Sequence, residues 1–368
     1  MRILYLLTSA EVGGAERFVL TLMRNRRDGD EVGLLVLLDR APLSAELDQA
    51  ADWVRYLAMS PSSRRLDQMV TGLKDAVRDF RPDVVSSHLF HTDLVLALAG
   101  LAVPKTTSVH TQGFGSGDLV LTKSIARTVG LLSGRFDAVI PSSDSLEMTD
   151  FIRRYRYRNV VPVIRNAAEV PYAPAWEASS RTFVSLSRNH PVKGHGVLFA
   201  AAAPVLREHS EWTLDCYGAG IVPDDERMLE LLADSDARDL LEAGRIRLLG
   251  PTTTPSAVLA TASALVISST YGESFPIVGA EACALGVPVI TTELGSTPEF
   301  VHDPAFLVAP GDPAALSEAL AGWVDATTEH RASLSAVARA TAVDRFSAQR
   351  VVASYADVFE TVIAARRP

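Results

Sequence analysis

The chain has 368 residues, which at roughly 150 residues per domain suggests two domains. Hydrophobic residues make up 48% and charged residues 21%, proportions that exclude disorder, collagen-like repeats and a small disulfide scaffold. The net charge of −9 is uneven: residues 1–166 hold 21 Lys and Arg against 19 Asp and Glu, residues 167–368 hold 14 against 25. Neither half is basic enough to read as a nucleic-acid binder.

The N-terminus, MRILYLLTSA, has an apolar core of only residues 3–7, shorter than the ~7–15 residues of a secretory signal. It reads as a first buried strand running into a loop. Further strands are expected at 32–38, 84–86, 106–110 and 138–141, with helices at 15–26, 66–80 and 92–101 between them. A second series follows at 182–187, 213–217, 246–248, 264–268 and 288–291. Apolar runs flanked by helices are the mark of parallel strands covered on both faces, so two doubly wound α/β domains are expected. The boundary falls at 167–180, where Pro171, Pro174 and several Ala and Ser suit a linker. That leaves domains at 1–166 and 181–346, and an amphipathic tail helix from Ser347 to Arg367, with Ser347 placed to cap it. Apolar stretches such as 94–103 stop at about ten residues, short of the ~20 that span a bilayer. Cys216 and Cys283 are too few for a disulfide framework or a zinc site, and a reducing cytoplasm is expected. Basic clusters occur at Arg24, Arg26 and Arg27, at Arg64 and Arg65, and from Arg153 to Arg158. A solvated, ion-paired face is the simpler reading; the last cluster also suits peripheral contact with the inner face of a membrane.

The densest chemical signal lies at 264–300. A strand ends in the loop Thr270–Ser274, and a helix opens near Phe275 and Pro276, where proline costs little. Gly286 is placed to stop that helix. Its N-terminus, at the C-terminal edge of a parallel sheet, suits a phosphate. Glu273 and Glu281 bracket the first turns, and each carboxylate can accept two hydroxyl protons from a vicinal diol. A capping Glu273 and a surface Glu281 would explain the same spacing. Arg188 and Lys193 follow a strand end, where two cations could neutralise a diphosphate. Gly13 and Gly14 follow the first strand and allow close backbone approach. They do not form GxGxxG, and no acidic residue stands where a dinucleotide ribose would need one. Asp28–Asp30 and Asp234–Asp236 have the DxD form of a metal site, but one pair precedes its strand and the other follows a helix, so turn and capping roles are expected and no metal.

Together these segments resemble the retaining glycosyltransferases of family 4. The likeness runs through VGGAERFVL near the start, SVHTQG at 108–113, IPSSDSL at 140–146, VIRNAAEV at 163–170, SLSRNHPVKGHGVL at 185–198, CYGAG at 216–220 and ESFPIVGAEACALGVPVITTELGSTPEFV at 273–301. The resemblance implies a GT-B fold: two Rossmann-like domains, with the tail helix crossing back to the first. It implies transfer of a hexose from a nucleoside diphosphate sugar, UDP favoured on family frequency, to a hydroxyl acceptor with retention. Such an acceptor could be a cell-envelope glycan, a lipid or a natural product. Glu273 would bind the sugar and Glu281 the ribose. Arg188 and Lys193 would hold the diphosphate, beside the backbone of Ser274, Phe275, Pro276 and Ile277. Gly13 and Gly14 would approach the diphosphate, and His110 would face the reacting sugar. His88, His91 and Gln112 would line the acceptor side. No cofactor or metal is implied. Two departures bear on geometry: Ala167, Ala168 and Glu169 replace the usual Gly and Asp after Asn166, and Ser296 replaces a second glycine after Gly295. An epimerase or phosphorylase on the same fold, or a non-catalytic nucleotide-sugar binder, stays open.

Overall fold

The computed structural model describes residues 1–63, 65–115, 119–171, 173 and 175–366; Arg64, Pro174 and Arg367, named above, lie outside them. The chain divides into two compact units, Met1–Ala167 with Ala348–Pro368, and Ala168–Ser347.

The first unit alternates strands and helices: β1 (Arg2–Leu7), α1 (Gly14–Arg24), β2 (Glu31–Leu38), α2 (Ser44–Ala50), β3 (Trp53–Met59), α3 (Leu66–Phe80), β4 (Val84–His88), α4 (Phe90–Leu98), β5 (Lys105–Val109), α5 (Val120–Leu132), β6 (Ala138–Pro141) and α6 (Leu146–Tyr155). The strands form one parallel sheet in the order β3-β2-β1-β4-β5-β6. Leu4 and Leu6 of β1, Leu35 of β2 and Val85 of β4 are fully buried in its core. α3 shows how the helices attach: Met69, Leu73, Ala76 and Phe80 recur at steps of three and four and are its buried residues. Each large side chain so covered contributes roughly 1.5–3 kcal/mol.

The second unit repeats the plan with β7 (Thr182–Leu186), α7 (His195–Glu208), β8 (Thr213–Tyr217), α8 (Glu226–Asp234), α9 (Arg238–Glu242), β9 (Ile246–Leu248), α10 (Pro255–Ala260), β10 (Ala264–Ile267), α11 (Ile277–Leu285), β11 (Val289–Thr292), β12 (Leu307–Val308), α12 (Pro313–Asp325) and α13 (Thr328–Thr341). Its parallel order is β12-β11-β10-β7-β8-β9. Counted within each unit, both sheets run third, second, first, fourth, fifth, sixth, the order of a doubly wound nucleotide-binding fold. α14 (Ala348–Ala364) groups with the first unit. It buries Val351, Tyr355 and Phe359 there, and Arg27 to Glu360 (2.6 Å) and Arg366 to Asp137 (2.8 Å) tie its end down.

Two strands escape the sequence pattern. β3 is an edge strand, half-exposed along its length, so its run lacks the continuous apolar character of a central strand. β12 has only two residues. The stretch expected as a free linker also packs more closely than its composition suggests. Trp176 donates its indole N–H to the Ser263 carbonyl (2.9 Å) and the Ala168 N–H bonds the Phe346 carbonyl (2.8 Å), all within the second unit.

Candidate active site

In the second unit the strand order reverses between β7 and β10, and a ligand crevice belongs outside their C-terminal ends. Two loops meet there. The Ser268 hydroxyl donates to the Lys193 carbonyl (2.9 Å), and the Thr270 N–H donates to the Val192 carbonyl (2.8 Å). Gly194 has φ +64°, and a Cβ on it would lie 2.0 Å from the Ser268 carbonyl oxygen, so the approach of the loops requires glycine. The outcome is a charge pair across the switch point: Lys193 Nζ donates to Glu273 Oε2 at 2.5 Å, and the Ser269 hydroxyl donates to the same oxygen at 2.9 Å. Burial pushes the Glu273 carboxyl upward, but Lys193, Ser269 and the nearby Arg188 charge outweigh it and hold the group below its ordinary value. Arg188 is exposed. Its carbonyl accepts from His195 Nε2 (3.2 Å), and burial pushes that imidazole down, so the ring is neutral and anchors the loop.

α11 opens immediately beyond Glu273, with Pro276 at its N-cap and Gly286, at φ +79°, ending it. The first N–H groups of such a helix have no partner within it. Ser274 is buried and its carbonyl accepts from the Ser296 N–H (2.8 Å). The Phe275 ring is core, edge-on to Phe300 and Phe346 at 5.1 and 5.3 Å, so a ligand here meets backbone at this residue. Ile277 begins the helix, and Glu281 stands on its second turn, partly exposed. Arg188, Lys193, Glu273 and the α11 N-terminus therefore share one sheet edge.

In the first unit the order reverses between β1 and β4. Gly13 is the N-cap of α1 and Gly14 its first residue. The buried Glu16 folds back over Gly13, so that a Cβ there would meet its carboxylate at 2.3 Å, and the Ser9 hydroxyl donates to Glu16 at 3.1 Å. His88 ends β4 and His110 follows β5. His88 Nδ1 and His110 Nε2 are 3.0 Å apart, and the rings stack at 5.3 Å. Burial drives His110 down to about 4, against a hydrogen bond with Asn166 that favours the protonated ring, and drives His88 well below its ordinary value. Both rings are neutral at pH 7, and His110 is held from both sides. His88 is completely buried, so it braces His110 and does not line a surface. His91 is exposed in the first turn of α4, whereas Gln112 is buried and accepts from the Ser145 hydroxyl (2.9 Å).

Three participants lay outside the sequence reading. Tyr355 of α14 stacks on His88 at 6.5 Å and shares a 2.8 Å hydrogen bond with Ser108; its 247-residue separation from Ser108 left no local signal. Ser269 is an ordinary strand-end serine until the loop brings Glu273 to it. Asp93, buried under β4 and β5, accepts from Ser87 and Thr107 at 2.6 Å each, and burial pushes its carboxyl up to about 7. Of the DxD pairs, Asp30 is engaged by the N-terminal amine (2.5 Å) and Arg27 (3.4 Å), and Asp234 and Asp236 are exposed at a helix end. Among the described residues no three His, Cys, Asp or Glu side chains come together as a metal-ligand set. Cys216 and Cys283 are free and buried. No helix of the described residues is long and apolar enough to cross a membrane.

Comparison with known proteins gives this arrangement a family. Residues 180–325 match the model for glycosyl transferases group 1, and residues 12–170 match that for glycosyltransferase family 4. An exopolysaccharide phosphotransferase of Streptomyces coelicolor is 31% identical over 160 residues, 43% of this chain and 16% of that protein. A D-inositol 3-phosphate glycosyltransferase of Mycobacterium avium is 33% identical over 160 residues, 43% of this chain and 36% of that protein. The chain thus spans well under half the length of these two relatives. Among solved structures, Anabaena HepE in complex with UDP and glucose superposes with a TM-score of 0.81 at 21% identity, covering 98% of this chain and 99% of that one. Two matched halves and two Rossmann-like units of one strand order lead to one conclusion: the chain belongs to the group 1 glycosyltransferases and has the GT-B fold.

Proposed function

We propose that the protein moves a hexose from a nucleoside diphosphate sugar, with UDP the favoured nucleotide, to an acceptor hydroxyl, retaining the anomeric configuration and using no metal. The observation that carries this reading is the Lys193–Glu273 pair at the β7/β10 switch point, beside the exposed Arg188 and the start of α11. On donor binding the diphosphate competes for Lys193 and draws on Arg188 and the open N–H groups of α11, which stabilise the charge of the departing nucleoside diphosphate. Glu273 is then released to accept sugar hydroxyls, Glu281 holds the ribose, and the backbone of Ser274 to Ile277 borders the sugar. Gly13 and Gly14 offer backbone to the diphosphate, and the braced ring of His110 forms a fixed wall for the sugar. The bond between the anomeric carbon and the β-phosphate oxygen breaks, the acceptor oxygen bonds to that carbon from the same face, and its proton passes to the leaving phosphate. No protein nucleophile is needed. The UDP and glucose bound to the Anabaena protein support a UDP-sugar donor. A cell-envelope glycan, a lipid or a natural product supplies the acceptor hydroxyl.

A thermal-shift series against UDP, GDP, ADP and their sugar conjugates, in EDTA and with manganese, tests the reading. A nucleotide at a hundredfold its Kd stabilises the fold by ~2.7 kcal/mol. We expect one nucleotide to act in EDTA, its effect lost in Glu281→Ala, and donor turnover lost in Arg188→Ala. A shift only with manganese, no shift at all, or full turnover in Arg188→Ala would overturn it.

A further inference from the structure

The two cations of the proposed donor site stand on one loop after β7, and they are held in different ways. Lys193 is fixed largely by the facing loop. Its N–H donates to the His190 carbonyl (2.9 Å), its carbonyl accepts from the Ser268 hydroxyl (2.9 Å), and its ammonium donates to Glu273 (2.5 Å). Arg188 is exposed, yet its charge is felt at Glu273. What is fixed at Arg188 is the backbone. The peptide plane joining it to Asn189 is held at both edges: the Asn189 N–H donates to the Ala219 carbonyl (2.8 Å), and the Arg188 carbonyl accepts from His195 Nε2 (3.2 Å). Gly218 packs on the preceding peptide, where a Cβ would lie 2.0 Å from the Ser187 carbonyl oxygen and 3.0 Å from the Arg188 nitrogen. Peptides are planar, so with both planes held the direction of the Arg188 Cα–Cβ bond is set.

His195 begins α7 directly after Gly194 and is only 3% exposed. Its ring lies over Phe199 at 6.2 Å, and a phenylalanine or leucine would pack there as well. The polar edge is what requires an imidazole. A carbonyl can only accept, so Nε2 carries the hydrogen and Nδ1 keeps a bare lone pair. Nδ1 is buried and has no hydrogen-bond partner among the described residues. Burial above all, with the Arg227 and Lys193 charges, disfavours a second proton, against the pull of the Arg188 carbonyl. The ring therefore keeps one tautomer, and its single N–H goes to Arg188.

We propose that His195 is a positioning residue for the donor diphosphate: its Nε2–H holds the Arg188 carbonyl so that the guanidinium is aimed at the phosphates, while Lys193 is placed by the facing loop. The role rests on the donor reading given above. His195 touches no ligand itself, so its removal acts on the diphosphate through Arg188 and leaves the Lys193–Glu273 pair standing.

The test joins two measurements on the full chain. NMR of the His195 ring nitrogens, without ligand, should show Nε2 protonated and Nδ1 bare at neutral pH. Calorimetric titration with UDP, GDP and ADP, and with the matching nucleosides, reads the role. His195→Phe should raise the Kd of the bound diphosphate about fivefold, the worth of one neutral hydrogen bond. His195→Gln, whose amide N–H can stand in for Nε2, should remain near the parent. In an Arg188→Ala background, His195→Phe should add less than about twofold, because residues acting through one another are not additive. The nucleoside, which carries no phosphate, should bind His195→Phe and the parent equally. A full loss in the Arg188→Ala background, an equal loss for the nucleoside, or no difference between His195→Gln and His195→Phe would overturn the proposal. A ring protonated at Nδ1 and bare at Nε2 would overturn the contact whether or not a nucleotide binds. A parent that binds none of the three nucleotides would overturn the donor reading, and the diphosphate role with it.

Discussion

Lys193→Met tests the electrostatic construction of the proposed donor site without any ligand. The side chains of Lys193 and Glu273 are 23% and 12% exposed. Removing one partner of a buried pair costs ~3–5 kcal/mol, and the residual solvent contact brings this to about 2–3 kcal/mol. For a unit of this size that is roughly 5–10 °C in Tm. The stranded carboxylate can escape part of the cost by taking a proton, which gives the effect a pH signature. In the parent, Glu273 lies below its ordinary value, so it adds stability at neutral pH that fades as pH falls through the acid range. In Lys193→Met, burial is opposed only by the Ser269 hydrogen bond and the Arg188 charge, so the folded value rises and stability is lost as pH climbs above the unfolded carboxylate range. The gap between variant and parent should therefore widen as pH rises from about 5 and level off once it passes the variant's folded value. Glu273→Gln in the Lys193→Met background should recover most of the loss at high pH, since the amide carries no charge to strand. Thermal unfolding of the three proteins at three pH values reads all of this. A Tm deficit independent of pH, or no recovery in the double variant, would refute the reasoning.

Gly194→Ala should lower Tm and abolish nucleotide stabilisation together, because both the positive φ and the 2.0 Å approach to the Ser268 carbonyl forbid a Cβ; an alanine variant with normal nucleotide response would contradict the loop geometry. Histidine NMR should find His110 neutral until well below pH 6, given its value of about 4, with folding stability lost as pH falls from the free-histidine range toward that value. A midpoint near 6.5 would show that the His88–His110 stack does not form in solution. Asp93, raised to about 7, works the other way: its cost to stability grows as pH rises from about 4 to 7, to the order of 4 kcal/mol. Asp93→Asn should flatten that slope in denaturation curves, and an unchanged slope would remove Asp93 as its source.

Apolar runs such as VVSS and ALVI, and amphipathic spacing such as Met69–Leu73–Ala76–Phe80, placed ten of the twelve strands found among the described residues and the α3 boundaries, because burial on both sheet faces leaves a local record in composition. β3 left a weaker record since an edge strand keeps half its surface in water. The cations and carboxylates of the proposed donor site were legible as types at strand ends. Their pairing was not: Lys193 and Glu273 are 80 residues apart, and only the β7–β10 adjacency makes them neighbours.

The histidines show the division most clearly. By itself the sequence placed His110 at the end of one strand and His88 just beyond the end of another, because strand ends follow from local hydrophobic pattern. Only the tertiary structure decided that β4 and β5 are neighbours, that α14 returns to set Tyr355 on His88, and that His88 is wholly buried. Burial, and the neutral charge state it imposes, depend on what the rest of the chain packs around a residue, and no local pattern encodes that.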